Sequence, residues 1–134
     1  MDWKLEVVPI PVADVEKAKQ FYSEQLGFVV DHDTQISPDV RVVQLTPPGS
    51  ACSVVIGAAT GTPPGSVRGL QLVVPDIDAA RAELAGRGVE VSVVKHYEKD
   101  GSLAEGKGER WNSFVFFSDL DGNGWILQER PTGE

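Results

Sequence analysis

One unit is written twice along this chain. Residues 5–30 read LEVVPIPVADVEKAKQFYSEQLGFVV, and residues 69–93 read GLQLVVPDIDAARAELAGRGVEVSV. Each copy has an apolar strand, an aspartate (Asp14, Asp76), a helix, a glycine (Gly27, Gly88) and a further strand. The stretch from aspartate to glycine is nearly the same length in both. A lone copy could not cover both faces of its own small sheet, so the two copies are expected to pack together. With 134 residues the chain is long enough for one such domain, 1–134, with a real core.

Local rules define the helices. Asp14 and Asp76 can each accept hydrogen bonds from the free N–H groups of a helix start. Val15, Ala18, Phe21, Tyr22 and Leu26 then recur at helical spacing, as Ile77, Ala80, Ala82 and Leu84 do less cleanly. Gly27 and Gly88 suit the left-handed residue that often ends a helix. Strands are expected after each helix: 28–31, 40–46 and 52–57 in the first copy, and 89–94, 112–118 and 125–128 in the second. TPPGSA and GTPPGS are turn-rich breaks. They give module one at about 4–58, a linker at about 59–67 and module two at about 68–130. EKDGSLAEGKGER, residues 98–110, is polar, glycine-rich and without period, and reads as a mobile loop over one sheet edge. Pro9 and Pro11 remove strand N–H groups, which places their strand at an edge or a module junction, with Trp3 and Trp125 packed nearby.

Composition narrows the function classes. Twenty acidic residues against twelve basic ones give a formal charge of −8. That argues against nucleic acid, whose affinity comes from Lys and Arg neutralising phosphates, and against anionic membrane surfaces. It is compatible with a cationic ligand, which an acidic surface steers inward. No apolar run approaches the roughly 20 residues of a bilayer span, and the N-terminus lacks the pattern of a signal peptide. A cytoplasmic protein is expected. The single cysteine, Cys52, excludes an internal disulfide and a cysteine-cluster metal site; a buried, inert thiol is expected. Nucleophile elbows, phosphate loops and dinucleotide fingerprints are absent from the sequence.

VADVEKAKQFYSEQLGF (12–28), VPDIDAARAELAGRGVEV (74–91) and FSDLDGNGW (117–125) together resemble the vicinal oxygen chelate superfamily. That group includes glyoxalase I, extradiol dioxygenases, methylmalonyl-CoA epimerase, fosfomycin-resistance enzymes and bleomycin-resistance proteins. Leu120 stands where the family's terminal hairpin usually has proline. The resemblance implies an α+β fold of two paired βαβββ modules, forming a curved mixed sheet around a cleft, and usually a homodimer. It does not imply one reaction, because the same fold carries several.

Family enzymes hold a divalent metal with His, Glu or Gln from four strands, leaving an open position that polarises the substrate. Carrying that pattern over leads to Val7 ahead of Asp14, to Gly69 ahead of Asp76, to Ile126 past Asn123, and to the apolar strand near Val55. None offers a ligand, so no metal cofactor is expected. Glu129 follows Ile126 but falls on the opposite face by strand alternation. It reads as a solvated or salt-bridged strand-end carboxylate. A shifted metal site would have to draw on His32, His96, Gln71, Gln128 or Glu129. Acid–base work would draw on Glu6, Glu129, His32 or His96, none with a visible partner.

The expected cleft is apolar and aromatic. If Val7 faces inward, so does Pro9; by the same phase Gln71, Ile126 and Gln128 do too, with Trp111 at the mouth of the long loop. Alternation leaves two choices on the preceding strand, Phe114 with Phe116 or Val115 with Phe117; the first pair is carried as the candidate. Such a lining suits a flat or greasy ligand held by stacking and a few amides. The expected function is therefore metal-free binding and sequestration of a small molecule, an antibiotic or another aromatic or cationic compound, as in bleomycin-resistance-like relatives. The alternative is a lyase, isomerase or dioxygenase with a shifted metal site.

Overall fold

The structure is a computed structural model, described for residues 1–132. Two units are distinguished by their internal contacts: residues 1–67 with Asp119–Asn123, and the chain from Arg68 to Ser118 and from Gly124 onward. The stretch expected as a linker, 59–67, stays with the first unit.

The first unit runs β1 (Val7–Ile10), α1 (Val15–Gln20), a π-helical turn (Phe21–Gln25), β2 (Val29–Ser37), β3 (Val40–Thr46) and β4 (Ser53–Ile56). Its sheet has the order β1-β4-β3-β2, with β1 parallel to β4 and the other pairs antiparallel. β1, carrying Pro9, is indeed an edge strand. Asp14 caps α1 by accepting from Lys17 N at 3.0 Å, an interaction worth about 1 kcal/mol. The helix widens where Ser23 Oγ donates to the Lys19 carbonyl at 2.7 Å, the acceptor that a regular helix reserves for the Ser23 N–H. Leu26 N then reaches back to Phe21 O, and Gly27 ends the element at φ 79°. The helical side of the sheet buries Ile10, Val43, Leu45 and Ile56 with Phe21, Tyr22 and Phe28.

Arg41 ties β3 to this side. It grips Asp33 of β2 through two hydrogen bonds of 2.8 and 2.6 Å and reaches Glu16 of α1 at 2.8 Å, while Lys19 also meets Asp33 at 2.7 Å. The Arg41 guanidinium, then Lys19, holds the Asp33 carboxyl well below the usual carboxylate range.

The second unit runs β5 (Leu70–Val74), α2 (Ile77–Gly86), β6 (Lys95–Tyr97), β7 (Leu103–Glu105), β8 (Phe114–Ser118) and β9 (Gly124–Glu129), in the sheet order β5-β9-β8-β6-β7. It is the βαβββ pattern with one strand added. Asp76 caps α2 through Ala79 N at 3.0 Å, and Gly88 adopts φ 84° after the helix. Val115, Phe117, Trp125 and Leu127 are buried on the side where α2 lies against β8 and β9.

Four expectations change. Residues 89–94 form no regular strand. Ser92 N does donate to Phe116 O, but the Ser92 carbonyl is taken by Arg81 Nε at 2.7 Å, and Phe116 N turns to Ser92 Oγ instead. The 98–110 stretch is not an irregular loop. It contains β7, which closes a hairpin with β6 and occupies the sheet edge. Trp3 is not packed beside β1: it is 88% exposed, while Trp125 stacks on Phe117 in its own unit with centroids 6.2 Å apart. Cys52 is half-buried just before β4, rather than buried in it.

Candidate functional site

Each sheet has one face packed on its own helix and one face that, among the described residues, no helix of its unit covers. Register decides which side chains share the open face, because paired residues point the same way. In the second unit Gln71 pairs with Ile126, and Ile126 with Phe116; Val73 pairs with Gln128, Gln128 with Phe114, and Phe114 with Lys95. These seven residues therefore share one surface. Tyr97 joins them, its ring meeting that of Phe114 edge-on at 5.3 Å. Phe114 and Phe116 stack at 6.4 Å. Burial settles the choice that alternation left open: Val115 and Phe117 are core, while Phe114 and Phe116 are half-buried on the open side.

The amides on this face bond to one another. Gln71 Nε2 donates to Gln128 Oε1 at 2.6 Å, and Gln128 Nε2 donates to the Trp111 carbonyl at 2.8 Å. That bond ties Trp111 to the site. Trp111 is 46% exposed and holds φ 63°, a left-handed conformation that is uncommon for a residue with a side chain. Beside Phe116 and Ile126 lies a hollow of about 380 Å³, also lined by Arg68, Gly69, Ser118 and Gly124.

Six of the eight expected ligand-binding residues are thus in the second unit: Gln71, Phe114, Phe116, Ile126 and Gln128 on one face, and Trp111 bonded to it. Val7 and Pro9 lie on the open face of the first unit's sheet, in register with Ser53 and Val55. Sequence reasoning missed Tyr97 and Lys95. The Asp100–Gly101 pair, a common hairpin turn signal, could have located the β6–β7 hairpin and with it the second half of this face.

The four positions where family enzymes carry metal ligands can be placed too. Val7 and Val55 stand on the open face of the first sheet; Ile126 stands on that of the second, and Gly69 just precedes β5 in the same phase. None has a side-chain donor atom, so the metal set does not fit these residues. The other candidate donors do not converge on a common point among the described residues. His32 is exposed on β2 opposite Gln44. Its neighbours do not converge on it: Asp33 faces Arg41 on the helix side, and Asp31 accepts from Thr46. His96 lies between the Gly106 carbonyl at 2.9 Å and Glu98 at 3.1 Å. The carbonyl first, and Glu98 second, raise its proton affinity. Among the described residues no group of three or more His, Cys, Asp or Glu side chains could hold an ion together.

Glu129 has a structural task. Its Oε2 accepts from Ile77 N, the first N–H of α2, at 2.9 Å, and Lys107 Nζ stands 3.0 Å from Oε1. A carboxylate here complements the helix start. Glu129→Ala is expected to cost about 1 kcal/mol, as loss of a helix cap does. Glu129→Gln keeps an acceptor and isolates the charge. Lys107 is raised above its ordinary value near 10.5 by Glu129. Its contribution is therefore fully present below that value and lost as pH rises through the higher folded value. Urea midpoints at pH 7 and pH 11 should show a steeper alkaline loss for the wild type than for Glu129→Gln; parallel losses would refute the pairing.

Helix-backed mixed sheets in βαβββ order define the glyoxalase/bleomycin-resistance class of fold. Residues 4–127 match the model of the Glyoxalase/Bleomycin resistance protein/Dioxygenase superfamily, and the chain belongs to that family. Among solved structures it is similar to TnmS3, an antibiotic binding protein from Streptomyces sp. CB03234, at 34% identity and TM-score 0.77, covering 97% of this chain and 98% of that one. A glyoxalase/bleomycin resistance protein from the same Streptomyces is 35% identical with TM-score 0.73, covering 93% and 99%. A superfamily member from Sphaerobacter thermophilus DSM 20745 is 32% identical with TM-score 0.74, covering 96% and 98%.

Proposed function

We propose that this protein binds and sequesters a flat aromatic small molecule, such as an antibiotic, on the open face of its second sheet, without a metal ion. The observation that carries the reading is the ring cluster of Tyr97, Phe114 and Phe116 on a sheet face that no helix of its unit covers. Rings in such a place offer stacking area, worth about 0.5–1.5 kcal/mol per pair beyond burial. The Gln71–Gln128 pair adds polar edges, the usual composition of a small-molecule site. The likeness to an antibiotic binding protein supports the same reading. So does the lack of donor atoms at Val7, Val55, Gly69 and Ile126.

Isothermal titration with a panel of polycyclic aromatic antibiotics tests it, with each compound recovered afterwards and checked by mass spectrometry. The expected result is stoichiometric binding of at least one compound, recovered unchanged, and weakened at least tenfold by Phe116→Ala. A compound returned chemically altered would overturn sequestration in favour of an enzyme.

A further inference from the structure

The aromatic face carries a lysine in a chain that is acidic as a whole. Lys95 is half-buried, and its register with Phe114 places it on the same surface as the rings. Its side chain makes no hydrogen bond or ion pair with another described residue. Glu105 stands opposite it on β7, yet no ion pair joins them. The amide bonds on this face run from Gln71 to Gln128 and from Gln128 to the Trp111 carbonyl. Lysine covers its stem against apolar surface and keeps its charged head accessible, so Lys95 has a cation available to a ligand lying on the rings.

Resting on the binding function proposed above, we infer that the ligand is an aromatic acid: its rings lie over Phe114 and Phe116, and an anionic oxygen on the frame meets Lys95 Nζ. Lysine serves as a compact point charge on a flexible stem, and it tolerates a carboxylate, phenolate or sulfonate in varied poses. Glu105 competes for the same ammonium when the ligand is absent. The net charge of −8 would favour cationic ligands at long range, but contact with Lys95 favours an anion.

Three probes of one shape separate the outcomes: naphthalene-2-carboxylate, its carboxamide, and 2-naphthylmethylammonium, titrated calorimetrically at constant ionic strength. The carboxylate should bind about tenfold tighter than the carboxamide, as charge-assisted bonds allow. Lys95→Met should erase that difference, Lys95→Arg should keep it, and Glu105→Gln should strengthen carboxylate binding. Equal affinity for carboxylate and carboxamide, or tighter binding of the ammonium, overturns this inference while leaving the aromatic face intact. Binding of the carboxylate that Phe116→Ala does not weaken, or no binding of any probe, overturns the face itself and this inference with it.

Discussion

Phe117→Ala is expected to destabilise the protein by about 4 kcal/mol, within the range for truncating a buried phenylalanine. Phe117 is 6% exposed, stacks on Trp125, and lies on the side of β8 that faces α2. Removing its ring leaves a void that stiff sheet neighbours cannot fill. The adjacent substitution should behave oppositely. Phe116 is half-buried on the open face, so Phe116→Ala should cost only about 1 kcal/mol of stability while abolishing most ligand affinity. Urea denaturation and calorimetric titration of the two variants give a crossed pattern. If both lose stability equally, the assignment of faces on β8 is wrong.

Asn123→Ala is expected to cost about 3 kcal/mol, because a buried group left unsatisfied costs roughly 1–3 kcal/mol. Asn123 is fully buried. Its Nδ2 donates to the Pro11 carbonyl at 2.9 Å and to Asp119 Oδ2 at 2.8 Å, and its Oδ1 accepts from Val67 N at 3.2 Å. Asp119 in turn accepts from Tyr22 Oη at 2.6 Å and from the N–H groups of Asp121 and Asn123. Every buried side-chain polar atom in this knot has a hydrogen-bond partner. The melting temperature should fall by on the order of 10 °C. Asn123→Asp should do worse, since it sets a carboxylate against Asp119 and the Pro11 carbonyl. Leu120→Ala, at an exposed position of the same turn, is the control that should change little. A loss below about 1 kcal/mol for Asn123→Ala would mean that water replaces the side chain.

What was legible in the sequence was local. Asp14 and Asp76 cap their helices, and Gly27 and Gly88 end them, because those interactions span only a few residues. The duplicated unit gave the fold class and the family. What was not legible depended on distant partners. Ser92 lost its strand because Arg81 captures its carbonyl. Alternation divided β8 into two sets without saying which set α2 covers. Glu129 was correctly set on the face opposite Ile126, but nothing in its surroundings along the chain points to Ile77, the N–H it caps 52 residues away. The DLDGN motif read as a hairpin turn. Its anchoring of Tyr22, Pro11 and Val67 is a tertiary fact. On the candidate face, Lys95 and Tyr97 were missed for a different reason: the Asp100–Gly101 signal was present, but the surrounding glycine-rich composition obscured it.

The knot at Asp119–Asn123 bears on how the protein is made. These five residues belong to the first unit, yet the ribosome adds them only after most of the second, though not β9, has been translated. At roughly 5–20 residues per second, Tyr22 and Pro11 wait several seconds or more for their bonding partners. The first copy of the repeat therefore does not mature independently: a nascent chain released early would carry an unfinished first half, exposed to proteases and chaperones. The order in which the two units are synthesised is not the order in which they are completed.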